Sequence, residues 1–126
     1  MPGTAGRVGR LKCEDARRIA REVLSAHSVR GRLMDDVLLV VSELVSNAVR
    51  HAGGVTALRV LYLSDSVAVE VSDASPLAPH TPGTPAAAPG GFGWLLVKKI
   101  AQRTEIRYGH GGKTITAFLA AGARAT

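Results

Sequence analysis

Residues 40–52 read Val40-Val41-Ser42-Glu43-Leu44-Val45-Ser46-Asn47-Ala48-Val49-Arg50-His51-Ala52. At about 100° per residue, Val37, Val40, Val41, Leu44 and Ala48 fall into one apolar stripe, which predicts an amphipathic helix from about Leu33 to His51. Glu43 and Asn47 are i,i+4 neighbours and share one edge of that stripe. A carboxylate beside a carboxamide, half in and half out of a core, can organise a cation and a nucleophile. Asn offers a neutral oxygen ligand to Mg²⁺, and Glu offers a base or a water-holder. Packing helices also carry such residues as plain solvated flanks, and this helix alone does not choose between the two readings.

Gly53-Gly54 ends the helix in the manner of a C-cap. Upstream, Ala16, Ile19, Ala20, Val23 and Leu24 recur at helical spacing, which predicts a helix from Cys13 to about Ala26. Downstream, Val55 to Leu63 is rich in β-branched and aliphatic residues and reads as a strand. Ser64-Asp65-Ser66 is a turn, and Val67 to Ser72 alternates with Val67, Val69 and Val71 on one face, completing a hairpin. Ala74 to Pro89 holds Pro76, Pro79, Pro82, Pro85 and Pro89, so it forms neither helix nor central strand. Loops of this length in a compact domain are lids or binding segments more often than idle insertions. Gly90-Gly91-Phe92-Gly93 then feeds a helix through Ala101, with Leu96, Val97, Ile100 and Ala101 inward and Lys98 and Lys99 outward. Thr104 to Tyr108 and Thr114 to Leu119 are strands joined by a turn at Gly109 to Gly112. Helix, helix, hairpin, lid, helix, hairpin predicts an α+β fold: a two-layer α/β sandwich whose mostly antiparallel sheet is covered on one face by about three helices.

The totals suit this reading. The chain has 126 residues, 46% hydrophobic and 21% charged, as expected of one soluble domain. No apolar run is long enough for a membrane span, and the first twelve residues lack the apolar block of a secretory signal. The single Cys13 has no disulfide partner within the chain, which fits the cytoplasm. Residues 1–32 hold eight basic and three acidic side chains, so most of the net charge of +6 belongs to the N-terminal arm and first helix. A solvated face, an acidic protein partner and nucleic acid all account for such a patch. Aromatics make up only 4%, and no nucleic-acid-binding motif is present, which disfavours the last.

Two further segments bear chemistry. Asp73 continues the inward face of Val67, Val69 and Val71, so its carboxylate points to the buried side at the sheet's end. A buried carboxylate needs a partner, and an amine donor on a ligand, such as a nucleobase NH₂, is one. A turn-capping Asp is the plainer alternative. Gly90, Gly91 and Gly93 precede a helix, where glycines let backbone N–H groups approach phosphate and the helix N-terminus adds positive potential. His51 lies eight residues beyond Glu43 and can reach the same site. His27, His51, His80 and Cys13 show no metal-ligand spacing, and no Walker-type or nucleophile-elbow motif is present.

Taken together, these segments resemble the GHKL superfamily, the ATPase fold shared by gyrase, histidine kinases and mismatch-repair proteins. The nearest likeness is to its small single-domain branch, the anti-sigma-factor serine kinases and related actinobacterial ATP-binding regulators. Ser42 to Ala52 is similar to the N-box, Val69-Glu70-Val71-Ser72-Asp73 to the strand entering the first glycine box, and Gly90 to Val97 to the second glycine box. Gly112-Lys113-Thr114-Ile115-Thr116 is similar to the start of the last strand. The resemblance implies a histidine kinase-like ATPase fold over 12–120, with 1–11 a flexible basic arm, 74–89 an ATP lid and 121–126 a tail. It implies ATP and Mg²⁺ as cofactors, and transfer of the γ-phosphate to a serine of a partner protein. Asn47 would ligate Mg²⁺, Glu43 would act as base, and Asp73 would receive the adenine amine. Gly91 and Gly93 would cradle phosphate, and Thr114 would support the adenine pocket, with His51, Ser75 and Trp94 beside them. The implied partners are a sigma factor or an anti-anti-sigma-type protein, and the branch suggests a homodimer. Where the family shows D-x-G-x-G, this chain has Asp73-Ala74-Ser75-Pro76-Leu77, without either glycine. Trp94 replaces a small aliphatic residue, and the lid has no Lys or Arg. Two expectations follow: a kinase with its Glu43/Asn47 helix intact, or a non-catalytic partner-binding module that holds nucleotide weakly or not at all.

Overall fold

The apolar stripe of residues 37–48 is driven wholly into the core: Val37, Val40, Val41, Leu44, Val45 and Ala48 are all buried. The computed structural model describes residues 11–79 and 93–121. The basic arm, the greater part of the Pro-rich lid with His80, Gly90 and Gly91, and the C-terminal tail lie outside the described residues. In chain order the elements are α1 (Cys13–Ser25), α2 (Arg32–Ala52), β1 (Val55–Tyr62), β2 (Ser66–Asp73), α3 (Gly93–Ile100), β3 (Arg103–Gly109) and β4 (Gly112–Ala120). The four strands form one antiparallel sheet in the order β1-β2-β4-β3. The predicted α+β sandwich is therefore the fold. Most boundaries shift by one or two residues, and three of the shifts bear on the site end or the ladder. Ser66 opens β2, paired with Ala120, rather than closing a turn, Gly93 is already helical, and β4 starts at Gly112.

The sheet's inner face is set by period 2. Leu58 and Val60 of β1, Val67, Val69 and Val71 of β2, and Ile115, Ala117 and Leu119 of β4 are all buried in one cluster with the helices. α1 adds Ala16, Ala20 and Leu24, and α3 adds Val97. Each buried Val, Leu or Ile among them contributes roughly 1.5–3 kcal/mol by leaving water. Local chemistry ends the elements. Gly53 takes the left-handed conformation at φ 77° and its N–H donates to Ala48 O, stopping α2 two residues before β1. At the start of α1 the Lys12 amide donates to Asp15 Oδ2 at 3.2 Å. That amide, and then the Arg18 guanidinium, hold the Asp15 carboxyl below its ordinary range.

Candidate functional site

α2 uses its two edges differently. On one edge Ser42 and Ser46 fasten it to α1: Arg17 donates to Ser42 Oγ at 3.1 Å, and Cys13 Sγ lies 3.2 Å from Ser46 Oγ. On the other edge Glu43 and Asn47 are half-buried, and no hydrogen bond or ion pair ties either to another described residue. Gly93, the first residue of α3, sits directly against Glu43. A Cβ built there would overlap Glu43 Oε1, the end of that side chain, so glycine lets the helix start approach the carboxylate where it stands. Trp94 follows, half-buried against the core, with Lys98 Nζ 5.9 Å from its ring centroid.

The topology gathers these groups at one end of the sheet. α2 stops at Ala52, and Val55, just beyond, pairs with Asp73. Asn47 is five residues, about 7.5 Å of helix rise, before that stop. α3 leads into β3, whose first residue, Arg103, pairs with Phe118 at the far end of β4, so the N-terminus of α3 points back toward the Asp73 end. His51 is exposed in the last turn of α2.

Asp73 takes the inward position read from its strand and is 3% exposed. Its partner is within the chain. Lys113 faces it across the β2–β4 ladder, and Lys113 Nζ lies 3.1 Å from Asp73 Oδ1, with both side chains out of water. The same Oδ1 accepts the Ser75 N–H at 2.9 Å, an Asx turn, and Lys113 Nζ is also 3.4 Å from Ser75 O. Ser75 Oγ accepts the Leu77 N–H at 3.2 Å. Neither Ser75 nor Leu77 has a positive φ, so the two positions where the family shows glycine do without its conformational freedom here. Thr114 is placed on the opposite face from Asp73: it alternates with Lys113 and Ile115, and its Oγ1 lies 2.7 Å from Ser72 Oγ on the outer side of the sheet. The residue that shares the inner face with Asp73 is Lys113, and the sequence reading passed over it. Counting back by two from Ile115 identifies it.

Nucleotide and Mg²⁺ fit the two ends unequally. Among the described residues no group of three His, Cys, Asp or Glu can enclose a metal ion. Mg²⁺ bound with phosphates needs only one or two protein oxygens and keeps its waters, and an untethered Glu43/Asn47 pair beside a helix N-terminus is of that sparse kind. The base end is closed as it stands: Asp73 Oδ1 accepts from both Lys113 and Ser75, and the carboxylate side chain is only 1% exposed.

The sequence profile of the histidine kinase-like ATPase domain matches residues 11–119. The chain belongs to that family. Its fold is similar to that of the Acinetobacter baumannii histidine kinase AdeS, with a TM-score of 0.51 and 12% identity, covering 69% of this chain and 46% of that one. At that identity the likeness concerns fold alone, and this chain spans less than half of the kinase chain. No curated protein matches the sequence. Among the described residues no helix is long and apolar enough to cross a membrane.

Proposed function

We propose that this chain is an ATP-binding regulatory protein that phosphorylates a serine of a partner protein, in the manner of anti-sigma-factor serine kinases. The observation that carries the reading is the Glu43 carboxylate, half-buried, without a cationic partner among the described residues, and set against the first residue of α3. Asn47, one turn along, would hold Mg²⁺ against the phosphates. Glu43 would accept the proton of the incoming serine hydroxyl. The serine oxygen bonds to the γ-phosphorus, the bridging P–O bond breaks, and ADP leaves. Such transfer depends chiefly on positioning and charge neutralisation, which few side chains suffice to supply. The partner would be a sigma factor or an anti-anti-sigma-type protein. The exposed arginines of α1, Arg18 and Arg21, suit an acidic docking face.

A second reading, a docking module that works without phosphoryl transfer, is favoured by one observation, the occupied Asp73. Calorimetric titration with ATP, with and without Mg²⁺, tests both. Mg²⁺-dependent binding supports the kinase reading, and absence of binding at millimolar ATP leaves docking alone.

A further inference from the structure

Lysine is among the residue types least often buried, and a buried ion pair is a doubtful source of stability. Yet Lys113 is 5% exposed and spends its ammonium on Asp73. The surrounding strands supply aliphatic residues at the equivalent inward positions, Ile115 and Ala117 on β4 and Val71 and Val69 on β2. The charged pair therefore occupies the single rung where the inner face of the sheet reaches the candidate nucleotide end. An ammonium N–H and the exocyclic amine of a purine are donors of the same kind, and Oδ1 already accepts the Ser75 amide as well.

We propose that Lys113 determines nucleotide affinity and base selectivity in this chain: its ammonium stands on Asp73 where the amine of a base would donate, so a nucleotide binds with that amine unread unless Lys113 is displaced. This inference rests on the nucleotide-site reading above and names the residue that limits it. Lys113 acts here by excluding a donor, so its signature is a lost discrimination rather than a lost activity.

The test compares ATP with purine riboside triphosphate, which lacks the 6-amino group, each titrated calorimetrically with Mg²⁺ into the wild type and into Lys113→Met. The wild type is expected to bind the two nucleotides within about twofold of each other, or neither measurably. Lys113→Met is expected to bind ATP at least about tenfold tighter than the wild type, and to prefer it to the deaminated analogue by about tenfold, the effect of one regained polar contact. A wild type that already prefers ATP tenfold overturns the proposal, since Asp73 would then read the amine past Lys113. So does a folded Lys113→Met with wild-type affinities. Because that variant leaves Asp73 without its cation, Lys113→Gln, which keeps a neutral donor stem in place, is titrated beside it, and the wild-type ratio decides where neither variant folds. Binding of both nucleotides with no change on substitution defeats this proposal alone. No binding to the wild type or to any folded variant defeats the nucleotide-site reading itself, and this proposal with it.

Discussion

Gly93 leaves no room for a Cβ between the start of α3 and the carboxylate of Glu43. The atom in the way, Oε1, is the far end of a flexible side chain, so Gly93→Ala displaces Glu43 rather than the backbone. The fold should tolerate the change, because moving the end of a flexible side chain off its rotamer costs only about 0.5–1.5 kcal/mol. The transfer step should not tolerate it, because a base moved by about an ångström loses on the order of 100-fold in rate. A thermal melt with an unchanged midpoint together with phosphoryl transfer down 10- to 100-fold is the expected pair of results. Undiminished transfer would remove Glu43 from the reaction.

Variants at Asn47 and Glu43 are expected to separate binding from chemistry. Neither is tied to another described residue, so truncating either costs little stability, within about 1 kcal/mol. Asn47→Ala should abolish the Mg²⁺ dependence of nucleotide binding with the far-UV spectrum unchanged. Glu43→Gln should bind nucleotide as the wild type does and lose about 10²- to 10⁴-fold in transfer, the range for a positioned general base. Equal Mg²⁺ dependence in wild type and Asn47→Ala would sink the metal assignment.

The buried Lys113–Asp73 pair makes a separate prediction about stability. Removing one partner leaves the other charge without its counter-ion on a side chain that is 3% exposed or less, and each single change, Lys113→Met or Asp73→Asn, should cost about 3–5 kcal/mol. The double variant removes both charges at nearly constant volume and should recover most of that loss. Urea denaturation of the four proteins gives the coupling directly. Additive single losses would mean that the two groups are not a pair in solution.

The fold was legible where spacing alone decides. The residue 37–48 stripe and the Val67, Val69, Val71 alternation each admit one period, and each went to the core as read. The placing of Glu43 beside Asn47 on α2 was legible for the same reason, since i,i+4 spacing puts them together whatever the tertiary structure. On β4 the inward face of Lys113 was legible from the alternation of Ile115, Ala117 and Leu119, but its pairing with Asp73 was not. Gly109 to Gly112 reads as one turn, yet Gly112 belongs to the strand, because its bare Cα lies where a Cβ would overlap Asp73 O. Starting the strand at Gly112 extends the ladder so that Lys113 pairs with Asp73. The alternation that turns Ile115 inward puts Thr114 on the outer face. The partner of Asp73 is a long-range fact, forty residues away in the chain, and no local pattern encodes it.

The β3–β4 turn stores a small amount of strain that substitution can release. Gly109 pairs with Gly112 across a two-residue loop, and His110 and Gly111 both have positive φ, 47° and 80°, the pattern of a type I′ turn. Gly111 meets this at no steric cost, whereas His110 carries a Cβ in the left-handed region. Asparagine is the residue most favoured at the first position of such turns, because its short polar side chain tolerates that conformation. His110→Asn should therefore raise stability by about 0.5–1 kcal/mol, a gain of the size usual for better turn chemistry. Since His110 lies at the Asp73–Lys113 end, the gain should come without loss of nucleotide binding only if the imidazole plays no part there. A higher urea midpoint with unchanged ATP affinity is the expected outcome. A higher midpoint with weaker binding would instead assign His110 to the site, and an unchanged midpoint would mean that the turn carries no strain to release.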